Sequence, residues 1–137
     1  MIVADTNLIS YLHFKNRYSE EANSVHELDP IWVSPLLWRS EFLNIIMMHL
    51  RKELISFDEG LKAFDLAKKV IGDREFSVSP IDVLELSLQS QCSAYDCEFV
   101  ALARDFGIKL VTYDKKLLTS FPKIATSATD FINNTLR

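Results

Sequence analysis

Residues 93–118 read SAYDCEFVALARDFGIKLVTYDKKLL, and their pattern decides the fold. Ser93 with Asp96 three residues on has the form of a capping box that opens a helix. Phe99, Val100, Leu102 and Ala103 then recur at helical spacing, and Gly107 stands where a left-handed residue ends a helix. Lys109 to Tyr113 is short, apolar and β-branched, bounded by a glycine and an aspartate, which predicts a strand. Two acids therefore flank one helix–strand unit, Asp96 in the helix's first turn and Asp114 just past the strand.

The same alternation extends towards both ends. Met1 to Ala4 predicts a brief strand that ends at Asp5, followed by a short helix through Leu8, Ile9 and Leu12. A helix over Ser19 to Leu28 stops at Asp29-Pro30, and Ile31 to Ser34 predicts a second strand. Ser34-Pro35 reads as an N-cap with proline at the first helical position, so a helix is expected from there to the region of Glu53. Ser56 with Glu59 opens another that Gly72-Asp73 stops. Glu75 to Val78 is a third expected strand, and Ser79-Pro80 repeats the cap-and-proline signal before a helix that ends near Gln91. Past the opening unit come a short helix from Asp114 to Phe121, a weak fifth strand near Ile124 and a last helix starting at Ser127. Short apolar strands alternating with helices predict an α/β fold with a parallel sheet covered on both faces. In such sheets ligands bind outside the carboxyl ends of the strands.

Composition bounds the function classes. The 137 residues, 48% hydrophobic and 25% charged, predict one domain over 1–137 that buries a full core. A net charge of −4 argues against an electrostatic clamp over the whole surface, though not against a local basic patch or a metal-mediated contact with nucleic acid. Cys92 and Cys97 supply neither a zinc set nor a disulfide framework; they read as buried packing residues in a reduced, cytoplasmic setting. The start MIVADTN lacks the pattern of a signal peptide, and the longest apolar run, Phe42 to Leu50, is too short to span a bilayer. Three scattered glycines form no phosphate loop, and His13, His26 and His49 share no metal or triad spacing.

Four acids stand out. Asp5 and Asp114 follow strands, and each alone serves equally well as an N-cap. Asp96 alone reads as the acidic partner of a capping box, favoured by the helix dipole. Glu41 differs: its helix carries Leu36, Leu37, Trp38, Phe42, Leu43, Ile45, Ile46, Met47 and Met48, apolar on almost every face, so burial on most sides is expected. A carboxylate there needs a positive partner, and Arg39, two residues away, points elsewhere. Clustered carboxylates repel one another, and a hard divalent cation is the usual remedy. Such an ion activates water and offsets charge on a phosphodiester in an in-line displacement.

The stretches VADTNLIS, WRSEFLNII, SAYDCEFVALA and LVTYDKKLL, in that order and at these spacings, resemble the motifs of PIN domains, and most closely those of VapC-type ribonuclease toxins. The resemblance spans nearly the whole chain and implies a three-layer α/β/α sandwich with a central parallel sheet of four or five strands. It implies a metal-dependent endoribonuclease of RNA in which Asp5, Glu41, Asp96 and Asp114 form the catalytic acidic cluster and hold magnesium or manganese. Asp5 and Asp96 are then the direct ligands, with Glu41 and Asp114 acting through water or on a second ion. It further implies a homodimer and a small antitoxin protein as partner. Thr6, Asn7 and Thr112 lie inside the matching motifs and read either as contacts to carboxylate or phosphate or as turn and cap residues. Arg39, Lys15, Arg17, Lys115 and Lys116 lie close in sequence to motif acids and read as rim contacts to substrate phosphates or as ordinary surface charges. Glu98, two positions beyond Asp96, does not share its helical face and reads as exposed.

Rival readings are a non-catalytic module of the same fold that binds RNA or protein, and a phosphoacceptor domain. The first strand ends in one acid where a receiver domain has an adjacent pair. A haloacid-type phosphotransferase would need an aspartate at position 7, where this chain has Asn7.

Overall fold

The computed structural model describes residues 1–137. Its elements are β1 (Ile2–Ala4), α1 (Thr6–His13), α2 (Ser19–Leu28), β2 (Trp32–Pro35), α3 (Trp38–Arg51), α4 (Phe57–Ile71), β3 (Glu75–Phe76), α5 (Pro80–Leu88), α6 (Ala94–Phe106), β4 (Leu110–Val111), α7 (Lys115–Ser120), β5 (Ala125–Thr126) and α8 (Ala128–Thr135). The five strands form one parallel sheet in the order β3-β2-β1-β4-β5. The chain thus winds outward from β1 to β2 and β3, then returns to the centre and winds the other way through β4 and β5.

Strand periodicity sorts side chains onto two faces. Ile2, Ala4, Trp32 and Val111 join Leu8, Ile9, Phe42 and Ala67 in a core under α1, α2, α3, α4 and α8. Val3, Val33 and Leu110 point the other way, into a core with Phe99, Val100, Leu102 and Leu117 beneath α5, α6 and α7. Three layers result, as expected.

Local signals place several helix ends. Ser56 with Glu59 and Ser93 with Asp96 both form complete capping boxes. Gly107 closes α6 at φ 65° and ψ 34°, a left-handed conformation that costs glycine nothing. Gly60 serves packing instead. A β-carbon there would lie 2.9 Å from the Ile46 side chain, so glycine lets α4 approach α3.

Two expectations fail. Ser34-Pro35 does not start a helix; both residues belong to β2, and α3 begins at Trp38. The Ser34 and Leu36 amides donate to the Arg74 and Phe76 carbonyls of the neighbouring strand region. The alternation of the ladder turns the nitrogen of Pro35 away from these bonds, so the missing N–H is tolerated. The Ser34 hydroxyl donates to the Ala4 carbonyl (2.9 Å) and is not available as a cap. The second failure is the burial of α3. Trp38, Phe42 and Ile46 form a single buried stripe, while Leu43 (51%), Met47 (39%) and Met48 (49%) are exposed, because only one side of the helix meets the core.

Candidate active site

The reversal of winding falls between β1 and β4, and there the chain leaves a crevice at the carboxyl ends of both strands. Asp5 is the residue after β1. Its amide donates to the Val111 carbonyl (3.2 Å), which ties it to β4. Its carboxylate accepts the Thr6 amide at Oδ1 (2.8 Å) and the Thr112 hydroxyl at Oδ2 (2.5 Å). The Thr112 hydroxyl oxygen in turn accepts the Asp114 amide (3.0 Å), so the two acids at the two strand ends share one buried threonine. Asp114 caps α7, its Oδ1 accepting the Lys116 and Leu117 amides. Asp96 sits in the first turn of α6, where its Oδ2 accepts the Ser93 amide. Glu41 comes from the first turn of α3 and accepts the Thr6 hydroxyl at Oε1 (2.6 Å).

These groups open onto one cavity of about 250 Å³, lined by Asp5, Thr6, Asn7, Glu41, Asn44, Ile45, Asp96 and Asp114. No lysine, arginine or histidine lines it. Burial pushes the Asp5 carboxyl up to about 6, against the lowering effect of the Thr112 and Thr6 hydrogen bonds; the charges of Glu41 and Asp96 raise it further. Glu41 is also raised, mainly by burial and then by the charges of Asp96 and Glu98. Glu41 Oε2, Asp96 Oδ1 and Asp114 Oδ2 receive no hydrogen bond from the protein. Such a set of oxygens, repelling one another and unrelieved by any base, suits a hard cation. No three of the acids stand close enough to make a ready ligand set, so an ion here would keep water in its shell.

The structure therefore brings Asp5, Glu41, Asp96 and Asp114 together from four separate elements, with Thr6 and Asn7 on the wall and Thr112 beneath. Thr6 and Thr112 spend their hydroxyl protons on Glu41 and Asp5. Arg39 is not brought to the cavity. Its guanidinium makes a two-pronged contact with Glu75, an acid that also accepts the Trp38 indole N–H (2.7 Å). Lys15, Arg17, Lys115 and Lys116 are exposed outside the cavity wall. Two polar neighbours join these acids in ways that helical spacing reads differently. Asn44, three residues beyond Glu41 on the stripe that helical spacing predicts, lines the cavity. Glu98, expected to be exposed, is instead half-buried; burial raises its carboxyl, and its charge acts on Glu41 across two helices, an approach with no local signal.

Comparison with known proteins agrees with this geometry. The family model described as PIN domain matches residues 2–125. Ribonuclease VapC3 of Pyrobaculum aerophilum is 30% identical over 138 residues, an alignment that covers 91% of this chain and 98% of the relative. Among solved structures, PAE2754 from Pyrobaculum aerophilum superimposes with a TM-score of 0.72 at 17% identity, covering 98% of this chain and 94% of its own. A toxin–antitoxin complex from Klebsiella pneumoniae gives 0.66 at 17% identity, covering 93% and 98%. At these identities the two structures establish a common fold. With a family model matched over residues 2–125 and a 30%-identical relative along nearly its whole length, the chain belongs to the PIN domain family.

Proposed function

We propose that the chain is a metal-dependent endoribonuclease and the toxin of a type II toxin–antitoxin pair. The observation that carries this reading is the convergence of four carboxylates, from four elements, on one base-free cavity at the topological switch of the sheet. The similarity to a protein named Ribonuclease VapC3 supports the same substrate class.

Asp5, Glu41, Asp96 and Asp114 would hold magnesium or manganese, and the four converging carboxylates, the absence of any base on the wall and the raised Asp5 and Glu41 carboxyls fit such an ion. Bound there, it supplies the Lewis acidity that activates water and offsets charge on the scissile phosphodiester. The chain's own residues set the frame. Thr112 and Thr6 act as positioning residues that fix the Asp5 and Glu41 carboxylates, and Asn7 offers its side-chain amide to a substrate oxygen from the cavity wall. The RNA is cleaved by in-line displacement, which leaves the phosphate on one product and a hydroxyl on the other.

An antitoxin partner is supported by two observations. One of the similar structures is a toxin–antitoxin complex. In addition, α3 and α4 enclose an apolar cavity of about 250 Å³, lined by residues including Leu43, Met47, Phe57 and Leu61, which a small protein segment would fill. The exposed Ile81, Leu84 and Leu88 on α5 support a homodimer. No helix is long and apolar enough to cross a membrane, and we place the activity in the cytoplasm, within one domain over 1–137.

The test is digestion of RNA with magnesium or manganese by the wild-type chain and by Asp5→Asn and Asp96→Asn. Loss of cleavage in both variants is expected. Cleavage equal to wild type would overturn the residue assignment, and RNA binding without cleavage by any form would return the chain to a non-catalytic module.

A further inference from the structure

Beside the acid cavity the chain builds a second feature that the four acids do not require. The rings of Tyr11, Tyr18 and Tyr113 form a nearly equilateral triangle, with centroid separations of 4.9 Å for Tyr11–Tyr113 and 5.0 Å for both others. Two of the rings are attached to the cavity by the backbone. Tyr113 immediately precedes Asp114, and Tyr11 lies one helical turn beyond the cavity residue Asn7, on the same stripe of α1. Tyr18 sits just ahead of α2, and the Arg17 guanidinium covers its ring at 4.7 Å while donating to its hydroxyl (2.6 Å).

The triangle is held from behind and left open in front. Tyr11 and Tyr113 pack against the core. The Tyr113 hydroxyl donates to Glu21 Oε1 (2.9 Å), and Thr129 donates to Oε2 (3.3 Å), so the Glu21 carboxylate is engaged on both oxygens. All three rings stay partly accessible, and Arg17 is exposed. The Tyr11 hydroxyl has no partner in the protein, which leaves a donor close to the acids.

We infer that Tyr11, Tyr18, Tyr113 and Arg17 form a stacking subsite for an unpaired base of the RNA, next to the phosphodiester to be cut. The inference rests on the ribonuclease reading and deepens it by assigning a base-binding subsite beside the acid cavity. Charge alone gives this chain little hold on RNA: acids outnumber lysine and arginine 19 to 15, and the cavity repels phosphate unless a cation intervenes. Base stacking on aromatic rings and guanidinium planes is indifferent to that repulsion and needs a base free of its helix. Lys15, between Tyr11 and Tyr18 in sequence, and Lys115 and Lys116, just past Tyr113, are exposed and available to the flanking phosphates.

The experiment measures binding without cleavage. In chelator, fluorescence anisotropy follows a labelled single-stranded oligoribonucleotide and an abasic oligonucleotide of equal length and charge. Wild type should bind the base-bearing strand about 10-fold more tightly. Tyr18→Leu should erase that preference and Tyr18→Trp should keep it, with circular dichroism confirming that both are folded; Tyr18 lies outside the packed core. Equal binding of the two strands by wild type, no binding of either, or a preference that survives Tyr18→Leu would overturn the subsite. Cleavage is scored separately with magnesium. A base preference without cleavage would leave the subsite standing and sink the ribonuclease reading; cleavage without a base preference would do the reverse.

Discussion

Helix α3 carries two well-placed charges only two residues apart, and they lead to opposite kinds of acid. Arg39 reaches to Glu75 on the edge strand, where the guanidinium hydrogen bonds and the Trp38 indole hold that carboxyl below its ordinary range. Glu41, on the other side of the helix, meets only a threonine hydroxyl and other acids, and burial pushes its carboxyl up. The first acid is satisfied and braces β3 against α3. The second is held in a state the fold alone does not relieve, and its companions Asp5, Asp96 and Asp114 share that cavity. A raised carboxyl with no base beside it, as at Asp5 and Glu41, is what the proposed chemistry requires, whereas the lowered Glu75 carboxyl belongs to a satisfied structural contact.

The contrast is broken most directly by exchanging the two classes of acid. Asp5→Asn or Asp96→Asn should lower the RNA cleavage rate by more than about 100-fold, whereas Glu75→Gln should leave kcat within about twofold of wild type. A rate loss for Glu75→Gln as large as for Asp5→Asn would erase the distinction.

Stability against pH gives a second opposition. The folded-state Asp5 carboxyl, at about 6, lies above its ordinary 3.8, so its contribution to stability is fully present below the ordinary value and is lost as pH rises through about 6. In chelator, Asp5→Asn should therefore stabilise the chain by roughly 2–3 kcal/mol at pH 8, with the gain vanishing near pH 4, as read by urea unfolding. Glu75 runs the other way. Its lowered carboxyl contributes above the ordinary carboxylate range and loses that contribution as acid protonates it.

Smaller effects sharpen the same comparison. Glu75→Leu strands the buried Trp38 indole N–H and should cost about 1–3 kcal/mol in chemical denaturation. Thr6→Val removes the hydrogen bond that lowers the Glu41 carboxyl and should weaken magnesium binding by about 10-fold in calorimetric titration, with the fold intact.

How much of this was legible follows the range of each interaction. Capping at Ser93 and Ser56 and the left-handed stop at Gly107 depend on residues three or four apart, and the sequence alone predicts them. So does the stripe that joins Glu41 to Asn44. Ser34-Pro35 misleads because its local cap signal competes with a ladder to residues 74 and 76, which no window of neighbours contains. The apolar run of α3 hides whether a protein core or a surface lies against each side, so its exposed Leu43 and Met47 read as core. Glu98 and the fixed partner of Arg39 are set by elements distant in sequence, and only the assembled fold reveals them.

The bond between Thr112 and Asp5 spans 107 positions of chain. Because β1 lies between β2 and β4, the first strand must wait for almost the last one before the cavity has its floor. During synthesis on a ribosome, Asp5 emerges while Thr112 and Asp114 are still unmade. The four acids cannot assemble until β4 and the residues just past it have been made, and a chain that stops before β4 never acquires the cavity.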